Sequence, residues 1–336
     1  MDLTLVVLAA GMASRYGSLK QLESIGPSGE AMMDYAVFDA IRAGYCKIVY
    51  VIRPEIEVEI RAHVEPMFAG AVQLVFVHQT LQEVSSSFTV PATRTKPWGT
   101  AHAILVTEPQ VDSPFAVCNA DDFYGASAHA MLANHLSDLG TAETKGKGKR
   151  EKGKGKGELR GQEAGKPGSR GTETSVLIGY RLSDTLSPHG GVSRAICECD
   201  SDGYLKQLDE VKQIKRDSGQ LVGVREGGNR MGLAGSETVS MNLWGFTSGL
   251  FPPLRQQFDE FLLVSGSSCD EEFLIPTAIS QQVAQGRAKL RVLQSSEPWM
   301  GMTFTQDKTQ VQHKLLELVS RGVYPADLKL GLHNQR

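Results

Sequence analysis

The stretch Leu3-Thr-Leu-Val-Val-Leu-Ala-Ala-Gly11-Met-Ala-Ser-Arg15-Tyr-Gly17-Ser-Leu-Lys20 governs how the rest of the chain reads. Its first half, Leu3 to Ala9, is an unbroken apolar run rich in β-branched residues. Such a run reads as a strand buried on both faces of a parallel sheet. The run stops at Gly11 in a short loop of small residues. A loop leaving the end of a buried strand can aim several backbone N–H groups at one point, and small side chains let a phosphate reach them. Arg15 and Lys20 add positive charge. The stretch therefore reads as a nucleotide-phosphate loop, against the plainer reading of an ordinary strand-to-helix turn.

Two commoner phosphate loops are excluded by spacing. A Walker loop needs Gly-x4-Gly-Lys-Ser/Thr, and a dinucleotide loop needs Gly-x-Gly-x-x-Gly. Neither occurs between residues 11 and 20; what occurs is Leu-Ala-Ala-Gly-x3-Arg-x-Gly-x2-Lys.

The remaining composition narrows the field. A chain of 336 residues with 41% apolar content can build a sizeable core in one large or two ordinary domains. A net charge of -3 gives no reason to expect a general affinity for nucleic acid or a membrane surface. No apolar stretch has transmembrane length, and the N-terminus runs into the first strand without a signal-peptide pattern, so a cytoplasmic protein is expected. The five cysteines, Cys46, Cys118, Cys197, Cys199 and Cys269, read as reduced thiols. Cys197-x-Cys199 lacks the second pair that a zinc site requires.

Downstream of the loop the pattern alternates. A helix is expected from about Ala31 to Ala43, a strand from Lys47 to Ile52, a helix from Pro54 to Phe68 and a strand from Val72 to Val77. This β-α-β-α-β order argues for a parallel, doubly wound sheet. In such sheets ligands lie at the carboxyl ends of the strands, where Gln79 falls. Gly99-Thr100 opens a further helix and could contact a base or an anion, or Thr100 could simply cap the helix. The strand Pro114 to Cys118 ends in Asn119-Ala-Asp121-Asp122. Carboxylates at the end of a buried strand are costly unless bound, and Mg²⁺ with substrate phosphates is the usual reason. The competing reading makes them the turn and cap of a helix from Ser127 to Leu136.

Between residues 141 and 174 the character changes. Lys145 to Arg170 carries ten Lys/Arg against three Glu, with eight interleaved glycines and Leu159 as the one bulky apolar side chain. Such a segment cannot bury a core and is expected to be a disordered basic insertion. Beyond it, strands are expected at Val176 to Leu182, Val192 to Glu198, Tyr204 to Leu208, Val239 to Phe246 and Leu290 to Leu293. Asp200-Ser-Asp202 reads as a hairpin turn, not as a metal motif, and residues 217–236 as a Gly-rich loop. Helices are expected from Gly249 to Leu263, from Asp270 to Gln285 and from Asp307 to about Ser320.

Taken together, these stretches resemble the sugar-1-phosphate nucleotidylyltransferases and their MobA-like relatives. The loop from Leu8 through Ala9, Ala10 and Gly11 to Lys20 is similar to their pyrophosphate-binding loop. Gln79 stands where their base-contacting Gln stands, and Gly99-Thr100-Ala-His-Ala looks like a segment near their base. Asn119-Ala-Asp121 is similar to the motif whose Asp binds Mg²⁺. Glu210 resembles the sugar-contacting Glu of a Glu-Lys-Pro motif, although Val211-Lys212 follows it here. Asn242 resembles an Asn on the sugar side, and Asp307 falls where a second metal ligand belongs, unless it caps the last helix.

The resemblance implies a single nucleotidyltransferase domain over residues 1–336. It would be a Rossmann-like, GT-A-like, doubly wound and mostly parallel α/β sheet. Residues 1–140 would bind nucleotide, and 175–336 would form a smaller mixed sugar-binding part with a C-terminal helix. It also implies an enzyme that joins an NTP to a sugar 1-phosphate with release of pyrophosphate. Arg15, Lys20 and Asp121 would be catalytic and Mg²⁺ the cofactor, with no specific nucleic acid or membrane partner. A homo-oligomer is compatible with it. A non-sugar phosphate acceptor, or a catalytically silent nucleotide-sugar-binding regulator, would share the loop; a glycosyltransferase would share the sheet.

Overall fold

The computed structural model of the chain describes residues 2–11, 20–151, 173–225 and 227–333. In chain order the elements are β1 (Leu3–Leu8), α1 (Met32–Arg42), β2 (Tyr45–Ile52), α2 (Glu57–Phe68), β3 (Gln73–His78), α3 (Thr100–Leu105), β4 (Phe115–Asn119) and β5 (Asp122–Phe123). Then follow α4 (Ala126–Glu151), β6 (Glu173–Arg181), β7 (Val192–Cys199), β8 (Leu205–Asp217), β9 (Gln220–Arg225), β10 (Arg230–Leu233) and β11 (Thr238–Phe246). The chain closes with α5 (Phe251–Ser265), α6 (Ile275–Ala284), β12 (Lys289–Gln294), β13 (Met300–Gly301), α7 (Asp307–Ser320) and α8 (Leu328–His333).

The apolar runs become the centre of a large mixed sheet. β3, β2, β1 and β4 lie side by side and parallel, with Val6 of β1 level with Val49 of β2 and Val117 of β4. All three valines are fully buried, because helices cover both faces. One layer packs residues of α1, α2, α4, α7 and α8 against the sheet, and the other packs α3, α5 and α6. This is the doubly wound α/β arrangement expected from the alternating pattern.

Beyond β4 the sheet turns antiparallel and forks. One edge of β11 pairs with β6 along nearly its whole length. Its other edge is divided: Trp244 to Phe246 pair with β4, whereas Val239 and Ser240 pair with β7. Between the two halves the register slips, and Asn242 takes φ +61°. A bulge of this kind ends pairing and re-aims a side chain. It lets β4 and β7 diverge, and the crevice between them opens at the carboxyl end of β4.

Two expectations need correction. Residues 217–236 are not a loop: β9 and β10 form an antiparallel hairpin that continues the β7–β8 meander. The glycines hid this, although Gly223 sits where a Cβ would lie 2.4 Å from the Val211 side chain, so the position needs Gly for packing. The helix expected to end at Leu136 runs to Glu151, so residues 141–151 are helical backbone. Residues 152–172, the rest of the expected insertion, lie outside the described residues. Among the described residues no helix is long and apolar enough to cross a membrane.

Candidate active site

Two adjoining cavities lie in the fork. The first, of about 520 Å³, is walled by Leu8 at the end of β1, Ala10 and Gly11 just after it, Gln79 after β3, Gly99 and Thr100 at the start of α3, and Asn119, Asp121 and Asn242. The second, of about 660 Å³, is walled by the meander through Asp209, Glu210 and Lys212, by Arg194 of β7, and by Trp299. Thr100, Asn119, Asp121 and Asn242 belong to both. The sequence-predicted nucleotide side and sugar side therefore meet along one shared wall.

Each feature of the first cavity has a local cause. β1 and β4 end level, with Leu8 opposite Asn119, so their loops face the same space. The described start of the loop is held open by Gln21, whose Nε2 donates to Ala9 O at 3.2 Å and Gly11 O at 2.7 Å. Ala9 itself is fully buried and positions backbone only. Gly99 has φ +107°, and a Cβ there would lie 2.6 Å from the Phe273 carbonyl oxygen. The chain can cross so tightly only at glycine. Gln79 is buried and donates through Nε2 to Gly99 O at 2.9 Å and toward His102 Nδ1 at 3.2 Å. His102 sits against the Glu83 carbonyl at 2.8 Å, and burial pushes its imidazole down to about 4, so it is neutral at pH 7. Thr100 Oγ1 accepts from the Ile275 N–H at 3.1 Å, joining α3 to α6 across the cleft.

The charged centre lies on the shared wall. Lys20 Nζ is 2.6 Å from Asp121 Oδ2, and the Asp121 side chain remains 39% exposed to the cleft. Asp122 is buried beside it. Burial and the neighbouring Asp121 carboxylate raise its pKa, while Asn119 Nδ2 at 2.8 Å and the Tyr124 hydroxyl at 3.2 Å steady its charge. Asn242 N–H lies 3.3 Å from Ser240 Oγ, and Asn242 Oδ1 accepts from the Trp244 indole at 3.3 Å. Asn242 lines both cavities.

Not every expected residue arrives there. Arg15 lies outside the described residues. Asp307 lines neither large cavity. Its Oδ1 accepts from Ser187 Oγ at 3.0 Å and its Oδ2 from the Phe304 N–H at 2.7 Å. It faces a small cavity beyond Arg194 and Trp299, at the first turn of α7. Among the described residues, no three His, Cys, Asp or Glu side chains cluster to hold a metal. Gln21 and Arg194 went unnoticed in the sequence, and Asp122 was read there only together with Asp121, with no role of its own. Only Asp122, adjacent to Asp121, carried a local signal; the other two are brought in by the fold.

No protein-family model matches the sequence, and no curated protein does. Solved structures do match along nearly the whole chain. One is the inositol-1-phosphate CTP transferase from T. maritima, at 14% identity and a TM-score of 0.55, covering 94% of this chain and 96% of that one. Another, assigned as a glucose-1-phosphate thymidylyltransferase from Bacillus anthracis, gives 10% identity, a TM-score of 0.55, and coverage of 94% and 95%. A UDP-glucose pyrophosphorylase in complex with UDP-glucose gives 15% identity, a TM-score of 0.54, and coverage of 94% and 99%. The chain thus has the α/β fold found in these sugar-1-phosphate and polyol-phosphate nucleotidyltransferases.

Proposed function

We propose that the protein is a nucleotidyltransferase that joins an NTP to a phosphorylated sugar or related polyol, with release of pyrophosphate. The supporting observation is the bipartite cleft: a cavity behind the Gly11 loop and a polar cavity on the meander, meeting at Asp121. The fold shared with three nucleotidyltransferases acting on such acceptors agrees with it.

In this reading the acceptor phosphate oxygen attacks the α-phosphorus, and the P–O bond to pyrophosphate breaks. The attacking phosphate is already anionic, so the enzyme needs no nucleophile of its own. Its work is positioning and charge compensation. Gln79 and Gly99 border the base, with Thr100 between base and transfer point. The Gly11 loop with Arg15 holds the β- and γ-phosphates, where charge accumulates in the leaving group. Lys20 neutralises the α-phosphate region, and Glu210 and Asn242 hydrogen-bond acceptor hydroxyls. Asp121 fits Mg²⁺ in one respect: an exposed carboxylate facing both cavities, where a cation usually keeps one or two protein oxygens beside phosphate and water. Held there, Mg²⁺ would supply neutralisation of phosphate charge. Asp307, with both oxygens occupied by Ser187 and Phe304, is better suited to holding the start of α7.

Asp121→Ala tests the reading. With Mg²⁺, NTPs and a panel of sugar 1-phosphates, wild type should release pyrophosphate with one pair. The variant should be slower by roughly a hundredfold or more, as for loss of other charge-stabilising groups. Undiminished release in the variant would remove Asp121 from the mechanism. NTP binding without release by wild type would favour a silent regulator.

A further inference from the structure

Arg194 is the cation of the second cavity that the sequence does not announce. It lies on β7, level with Val211 of β8 and next to the Ala195–Glu210 pair. Its guanidinium is half-buried and anchored without an acid. Nε donates to Thr185 Oγ1 at 3.2 Å, Nη2 to Thr185 O at 2.5 Å and Nη1 to Ser193 O at 2.8 Å. The plane is further held over the Trp299 ring at 5.0 Å. Three of five N–H groups are thereby used, and all three partners are neutral. No described carboxylate lies within ion-pair distance of it; Asp122 and Asp307 flank it from farther away. Burial lowers its pKa only to about 10, so it stays charged. The same wall contains the buried Trp299 indole N–H, which has no acceptor among the described residues.

Such an arrangement is expensive for a purely structural arginine. A desolvated cation that served only to brace the fold would gain most by closing on a carboxylate. Here the guanidinium is oriented by backbone and hydroxyl acceptors instead, which leaves its charge and two N–H groups for something that enters the cavity. A planar, pre-oriented fork of this kind suits a phosphate. Its position fits the same ligand, since Asp121, Asp122 and Arg194 line one cavity with Glu210. We propose that Arg194 binds the phosphate of the acceptor and sets it beside Asp121 for transfer. Lys212, exposed on β8, is another cation of this wall.

This inference rests on the transfer reading above, and one set of measurements separates the two. Initial rates of pyrophosphate release would be measured against each substrate in turn for wild type, Arg194→Lys and Arg194→Gln. Direct binding of inorganic phosphate to the three proteins, without nucleotide, would be measured by calorimetry. The expected result is an acceptor KM raised tenfold or more in Arg194→Gln, partly restored in Arg194→Lys, with the NTP KM within twofold of wild type. Phosphate binding should weaken in the same order. An unchanged acceptor KM would overturn the assignment. So would equal rises in both KM values with a lowered Tm, which is the signature of a bracing role. If wild type transfers with no pair tested, the transfer reading fails on its own. Phosphate binding by wild type that is lost in Arg194→Gln would still support the Arg194 site, and equal binding by both would overturn it.

Discussion

Gly99 shows how one backbone position organises a site. Phe273 donates its N–H to Trp98 O at 2.6 Å, and Ala101 donates back to Phe273 O at 3.0 Å. The segment before α6 is thereby tied onto the start of α3, with Gly99 in the crossing. Gln79 then fastens to the Gly99 carbonyl. Gly99→Ala should cost about 1–3 kcal/mol from left-handed strain alone, with steric displacement of Phe273 added. Urea denaturation would measure it, and the same variant should lose nucleotide affinity because Gln79 and Thr100 move with the loop. An unshifted denaturation midpoint would mean that the Phe273 segment yields freely. The motif Gly-Thr was visible in the sequence; its partner Phe273, some 170 residues later, was not.

The same contrast holds for helices and strands. The parallel strands were legible because burial on both faces leaves a continuous apolar run, as in β1 and β2. The β9–β10 hairpin was illegible because its strands are short, half-exposed and punctuated by Gly223, Gly227, Gly228 and Gly232, which mimic a loop. The C-terminal helices show what sequence pattern cannot carry. Tyr324, between α7 and α8, buries its ring against Tyr35, Phe38 and Phe123 of α1 and β5 and donates its hydroxyl to Asp39 Oδ2 at 2.6 Å.

Burial pushes the Asp39 carboxyl up to about 7, against the opposing effects of Tyr324 and Arg42. A carboxyl that holds its proton more tightly folded than unfolded adds stability in acid. It loses that contribution as pH rises from 3.8 toward 7. The full span corresponds to at most about 4 kcal/mol. Asn cannot titrate, so the Tm of wild type relative to Asp39→Asn should fall across that window and level off above it. Parallel Tm curves for the two proteins would show that Asp39 stays ionised.

For the chain taken entire, the basic segment is the test of what the fold requires. The composition of residues 152–172, rich in Lys and Gly with Leu159 as the one bulky apolar side chain, offers no core contribution. Replacing it with a short Gly/Ser linker between α4 and β6 should leave the Tm within about 2 °C, since loop length changes closure entropy only slowly. Pyrophosphate release should persist as well. A large loss of Tm would show that the segment packs against the domain, and loss of activity alone would place it at the cleft.

From the sequence alone came the doubly wound α/β class, the run of small residues that follows β1 and the carboxylates after β4. Each rests on local physics: apolar runs long enough to need burial on both sides, small residues where the chain leaves a buried strand, and acids where a buried strand ends. Only the tertiary structure decided that the sheet forks at Asn242 and that Glu210 and Arg194 face the same cavity as Asp121. Only it placed Asp307 beyond the Arg194–Trp299 wall, outside both large cavities. These depend on which strand edges pair across long sequence separations, and a bulge of two residues in β11, Met241 and Asn242, is enough to change what the neighbouring strands leave open.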